Sequence, residues 1–182
     1  MKFILAKKVN MTQIFGEDGK VSPATVLNVE PATVSQIKTK EKDGYSAVQI
    51  GSGTRKGKNI SKAVKGHIKN LEGFSDGKIG FAAIREFRIE DVSSLNKGDK
   101  LAVDIFAVGD KVTVSAISKG KGFQGVVKRH GFHGGQRSHG QKHSEREPGS
   151  IGGGGRSGGK VIKGMRMAGR MGGDRITVKN LR

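Results

Sequence analysis

The sequence has no cysteine, no tryptophan, a single tyrosine (Tyr45) and three prolines. Without cysteine there is no disulfide and no thiolate metal site, and nothing points to an oxidising compartment; a cytosolic setting fits. Long apolar runs are also missing. The N-terminal MKFILAKK holds only the short run Phe3–Ala6, too little for a signal-peptide core. No stretch approaches the roughly 18 apolar residues of a membrane span. Hydrophobic residues make up 34% of the 182, below what most globular domains hold, and 30 glycines account for part of the deficit. Acids are scarce: 16 Asp and Glu stand against 34 Lys and Arg, a net charge of +18. Self-repulsion of that size opposes compaction and favours a polyanionic partner.

What is present is unevenly placed. Residues 1–117 carry 19 Lys and Arg against 13 acids, a net of +6. Residues 118–173 carry 12 against two, Glu145 and Glu147, a net of +10, together with 18 of the glycines and four of the five histidines. The last nine residues add +2. The middle segment has only Val126, Val127, Ile151, Val161 and Ile162 as branched aliphatics. It cannot bury enough apolar surface to offset its conformational entropy, so alone it is expected to be extended and mobile.

Residues 1–117 contain FILAKKV, PATVLNVE, ATVSQIKT, YSAVQIG, AIREFRI, KLAVDIF and KVTVSAI, short runs rich in Val, Ile, Thr and Phe, several of them alternating polar with apolar. EDGK (17–20), KDGY (42–45) and NKGD (96–99) read as tight turns. NISKAVKGHIKNLEG places Ile60, Ala63, Val64, His67, Ile68 and Leu71 at helical spacing, with Gly73 as the stop and His67 as a half-buried structural residue. The expected fold is mainly β: a small antiparallel barrel over 1–117 with one inserted helix, a long Gly/Lys/Arg-rich extension over 118–173, and a return strand over 174–182. There is no internal repeat.

Several motifs invite sharper readings. Gly120, Gly122 and Gly125 spell G-x-G-x-x-G, but no long apolar helix or second parallel strand follows to make a dinucleotide site. Gly154, Gly159 and Lys160 approximate a phosphate loop, yet Val161 stands where Ser or Thr would hold magnesium. His130, His133, His139 and His143 suggest zinc, without a scaffold or carboxylates to orient them. Ser138, His139 and Glu145 make a triad only on paper, because a triad needs rigid support. An acidic membrane surface would call for an amphipathic helix, and a sequence-specific DNA reader for a rigid helix or ribbon. A glycine-rich basic arm threaded among packed RNA helices fits better. An enzyme acting on RNA or nucleotides and a DNA-compacting protein remain as alternatives. The first would need a fixed metal or cofactor, and the second would bind duplex DNA as well as folded RNA.

SKGKGFQGVVKRHGF, then SHG, REPGSIG and GKVIKGMRMAGRMG, resembles the central segment of the universal large-subunit ribosomal protein three family in its bacterial form. KKVNMTQIF and DGYSAVQIG resemble the family's opening, and the order is kept along essentially the whole chain. The resemblance implies a six-stranded barrel of the type shared with translation factors, plus an arm entering the ribosome. It implies a structural, non-enzymatic constituent of the large subunit, without cofactor or resident metal. Such a protein binds 23S-type rRNA early in assembly, and its arm approaches the peptidyl transferase centre. The partners implied are that rRNA and large-subunit proteins fourteen and nineteen, with no membrane and no homo-oligomer. The rRNA contacts expected are Lys119, Lys121, Phe123, Lys128, Arg129, His130 and His133 on the outgoing side. Arg137, His139, Lys142 and Arg146 follow near the tip, then Arg156, Lys160, Lys163, Arg166 and Arg170 toward and along the return. Gly120, Gly122, Gly152, Gly153, Gly154 and Gly155 are expected to let backbone approach the RNA closely.

Three departures from the family pattern stand out. Asn10 replaces a usual Gly, where a left-handed turn is expected to survive. GGGGRSGG replaces a stretch that carries a methylated glutamine in some bacterial members. The family normally continues after DRITVKNL with apolar strands that help close its barrel, and these are missing here: either this member is shortened or a tail is absent from the sequence.

Overall fold

The computed structural model describes residues 2–74 and 76–182, and of Ser157 only the backbone. The chain divides into two compact units, Met1–Val108 and Gly109–Arg182.

The first unit begins with a hairpin of β1 (Lys7–Phe15) and β2 (Val21–Asn28), closed by the Phe15–Val21 pair. EDGK makes the turn as expected: Gly19 takes φ 74°, and the Gly16 N–H donates to the Lys20 carbonyl at 2.8 Å. Asn10 is not the left-handed residue expected from its glycine-like position. It lies inside β1, where a register shift between Lys8 and Asn10 absorbs the extra residue as a bulge.

Next come β3 (Ala32–Lys38), the four-residue α1 (Lys40–Asp43), β4 (Ala47–Lys56), α2 (Lys62–Ile68), β5 (Ile79–Arg88) and β6 (Lys100–Leu101). The four strands form one antiparallel sheet in the order β5-β4-β3-β6. KDGY is not a tight turn between strands: Lys42 and Asp43 end the short helix α1, which Gly44 caps at φ 79°. NKGD is a turn, with Gly98 at φ 98° and the Asn96 N–H bound to the Asp99 carboxylate at 2.7 Å. KLAVDIF pairs only through Lys100 and Leu101, and Val103–Ile105 then winds into a 3-10 turn.

Val34, Val48 and Ile50 are fully buried and pack with Phe3 and Ala32; Phe3 stacks on Phe87 at 4.6 Å between ring centroids. A bulge between Val34 and Gln36 turns Ser35 inward as well. Its hydroxyl donates to the Gln49 carbonyl at 3.1 Å and to Gln49 Oε1 at 2.8 Å, so the buried polar group is satisfied. His67 lies 2.6 Å from the same Oε1. It is structural, as expected, but exposed rather than half-buried, because it faces the end of the Gln49 side chain at the sheet surface. A second cluster gathers Ile68, Leu71 and Phe81. The α2 helix is shorter than its spacing suggests: Ser61 caps it, and past Ile68 the chain continues in turns to Gly73 at φ 81°.

The second unit holds β7 (Val112–Ile117), β8 (Gly122–Gln124), α3 (Val126–His130), β9 (Gly169–Met171) and β10 (Arg175–Leu181). β7 pairs antiparallel with β10, and β8 with β9. Pairing among the described residues therefore gives a mainly β fold of four antiparallel sheets with few short helices, and no closed barrel. The four-stranded sheet ends at β6, where Leu101 pairs with Ala32 and Lys100 with Thr33.

Candidate nucleic-acid interface

Residues 118–173 hold more regular structure than their composition suggests. The two legs of the arm are zipped at the base. The Ser118 N–H donates to the Asp174 carbonyl at 2.9 Å, the Gly173 N–H to the Ser118 carbonyl at 3.2 Å, and the Lys121 N–H to the Met171 carbonyl at 2.8 Å. The β8–β9 ladder continues the zipper through the pairs Gly122–Met171, Phe123–Arg170 and Gln124–Gly169. Gly172 is obligatory here, with φ 75° and the Lys119 carbonyl where a side chain would stand. The ladder is antiparallel, so the G-x-G-x-x-G glycines do not open a parallel βαβ unit.

Beyond the ladder, α3 buries Val126 to 2% exposure and ends on Gly131 at φ 73°. The last turn faces the returning leg. Arg129 donates from a guanidinium nitrogen to the Met167 carbonyl at 2.8 Å, and His130 Nε2 donates to the same oxygen at 3.0 Å. A carbonyl only accepts, so Nε2 is the donor here. The Arg129 guanidinium also fills the space a Cβ on Gly169 would need. Two of the residues expected on the RNA thus also hold the legs together.

Near the tip, Arg137 Nε meets Glu145 Oε1 at 2.6 Å, and this partner raises the arginine further above its ordinary value. The Gly135 N–H donates to the Glu145 carbonyl at 2.8 Å, and the same carbonyl leaves no room for a side chain on Gly134. His139 stands at φ 60°. Gly152 and Gly153 take φ 97° and 94°, whereas Gly154 is extended at φ −61° with open space around its Cβ position. Open space also surrounds Gly120, Gly122 and Gly155.

Of the 12 Lys and Arg in 118–173, the side chains of Arg129 and Arg137 bind the chain itself. The other ten, Lys119, Lys121, Lys128, Lys142, Arg146, Arg156, Lys160, Lys163, Arg166 and Arg170, make no hydrogen bond or ion pair through their side chains among the described residues. Phe123 is 76% exposed, opposite Arg170 in the ladder. An exposed ring paired across a glycine-rich ladder with an arginine offers stacking and phosphate contact on one hairpin. His133, His139 and His143 join no metal cluster: no three His, Asp or Glu side chains gather as a metal site among the described residues. No described helix is long and apolar enough to cross a membrane.

One feature of the second unit is only partly foreshadowed by the residues expected from sequence. An open cavity of about 610 Å³ has His130, Phe132, Gln141, Glu147 and Arg166 among its lining residues. Of these, Phe132, Gln141 and Glu147 are not among the expected RNA contacts. The signal available was Glu147 itself, an acid in a segment with almost none.

The residues around this arm also match known proteins. Residues 87–182 fit the family model described as Ribosomal protein L3. The "Large ribosomal subunit protein uL3" of Herpetosiphon aurantiacus is 49% identical over 178 residues, covering 98% of this chain and 81% of the relative. The chain belongs to the ribosomal protein L3 family. The proteins of the same name from a Roseiflexus species, at 50% identity over 178 residues, and from Syntrophobacter fumaroxidans, at 46% over 182, agree. Of the Syntrophobacter relative's length, 83% is matched. The family model covers the whole glycine-rich basic segment together with β7 and β10.

Proposed function

We propose that the chain is a structural, non-catalytic constituent of the large ribosomal subunit, held in the cytoplasm within the ribosome and bound to 23S-type rRNA through residues 118–173. The observation that carries this reading is the set of ten cationic side chains without a hydrogen-bond or ion-pair partner among the described residues, on an arm whose base is zipped by its own backbone. Such a base pre-positions part of that charge for phosphates and reduces the ordering to be done on binding. The relatives' shared name supports the subunit.

The finer picture has residues 1–117 as a translation-factor-like barrel and 174–182 as the strand returning to it. The exposed Met11 and Phe15, on one face of β1, support it, since a closed barrel would cover such a face. The arm enters early in assembly and reaches toward the peptidyl transferase centre, with large-subunit proteins fourteen and nineteen as neighbours. Phe123, His130, His133, Arg137 and His139 add stacking and hydrogen bonds to the phosphate contacts of the ten free cations.

Filter binding of the full chain tests the reading, with fragments of large-subunit rRNA and a duplex DNA of equal length. Folded rRNA should bind more tightly at every salt concentration. Equal affinity for the duplex would favour DNA compaction instead.

A further inference from the structure

The arm sets two carboxylates among 12 Lys and Arg. Glu145 is engaged by Arg137. Glu147 is not: its N–H donates to the Ser144 carbonyl at 3.3 Å, and its carboxylate makes no hydrogen bond or ion pair among the described residues. It lines the 610 Å³ cavity with Phe132, Gln141 and Arg166. Glu147 is exposed, and its carboxylate repels the phosphates that the rest of the arm is suited to meet, so the group it can accept at this open cavity is one with hydrogen-bond donors.

The bases differ in what they can offer. Uracil presents one N–H between two carbonyls, which repel a carboxylate. Adenine and cytosine each present an amino group next to a ring-nitrogen acceptor. Guanine alone presents two donors side by side, N1–H and the N2 amine, matching the two oxygens of one carboxylate. The other walls suit a nucleotide. Phe132 is half-buried and lies 6.0 Å from His130 with the ring planes tilted by 44°, a fixed ring for stacking. The Arg166 side chain is without a partner among the described residues and is free to meet a phosphate. The volume falls within the range of small-ligand sites.

We propose that this cavity receives one unpaired guanine nucleotide of the subunit RNA, with Glu147 accepting from N1–H and N2, Phe132 stacking on the base and Arg166 on the phosphate. The proposal rests on the RNA-binding reading above and adds a base preference to it.

The test uses the full chain and four five-nucleotide RNAs that differ only at the centre: UUGUU, UUAUU, UUCUU and UUIUU, where I is inosine. Binding is followed by fluorescence anisotropy. Wild type should favour UUGUU over UUAUU by about 5- to 150-fold, the range of one good bidentate contact. Inosine, lacking the N2 amine, should fall between them. Glu147→Gln should erase most of the preference while leaving UUAUU binding equal or tighter, since a negative charge is gone. A merely structural glutamate would leave the rank order unchanged. Wild type binding all four RNAs alike, or Glu147→Gln keeping the guanine preference, overturns the proposal and leaves the RNA-binding reading intact. Failure to bind these RNAs and large-subunit rRNA fragments alike would overturn both.

Discussion

Consider the triple substitution Lys119→Ala, Lys121→Ala, Lys128→Ala. All three lysines lie in the outgoing leg, and none has a side-chain partner among the described residues. Each phosphate neutralised releases condensed counterions, so affinity falls with salt at about 0.7 to 0.9 log units per contact for each tenfold rise. Ten contacts imply a slope of about −7 to −9, and the triple variant should flatten it by about 2 to 2.7. Between about 50 and 200 mM salt, its affinity should therefore fall some 20- to 40-fold less than that of wild type. Lys20→Ala is the control. Lys20 sits in the β1–β2 turn with its ammonium 2.9 Å from Asp18, whose carboxyl this partner holds below its ordinary value. Its removal should leave the slope unchanged. The assay is a salt titration of binding to one rRNA fragment by filter retention. Equal slopes for wild type, triple variant and control would refute the placing of the electrostatics in the arm.

Other perturbations probe the remaining parts. Gly154→Val introduces a side chain where φ is −61° and the space is open, so the chain itself should tolerate it. Thermal melting should not change, while large-subunit assembly should be impaired; normal subunit profiles in a strain carrying it would show that residues 152–155 are a slack linker. Ile50→Ala empties a fully buried position and should cost about 2–5 kcal/mol, seen as a lower midpoint in denaturant, with the salt slope for RNA intact. Glu86 lies 2.7 Å from Lys38, and this partner, with Tyr45, holds its carboxyl below the ordinary 4.5. Since the folded value is the lower one, the stabilisation is full above about pH 4.5 and is lost as pH falls through the folded value. Glu86→Gln should flatten the stability profile in that window, and an unchanged acid limb would contradict the assignment.

Local chemistry explains what the sequence discloses. The EDGK turn is legible because a glycine able to take positive φ stands between two alternating apolar runs. The segregation of charge and glycine into 118–173 is legible from counting alone. The inward turn of Ser35 is not, since a bulge changes which face a residue occupies without marking the sequence. KLAVDIF has strand composition, yet most of it lacks a partner strand, and β propensity yields to pairing. Within the arm, composition argues for an unstructured segment. It misses that Val126 finds cover, and that one carbonyl, on Met167, collects both Arg129 and His130 across almost forty residues. Glu147 is visible in the sequence as an oddity, but its cavity depends on residues from two legs of the chain.

The central claim is that this chain is a building part of the large subunit, held there by its arm. A tagged copy expressed in a bacterial host and followed through a sucrose gradient tests it most directly. The full chain should co-migrate with large subunits and stay with them through a moderate salt wash. A version with the ten free arm cations replaced by glutamine should remain at the top of the gradient. A full chain found only in the soluble fractions, or a neutralised version that sediments equally well with the subunit, would contradict the account.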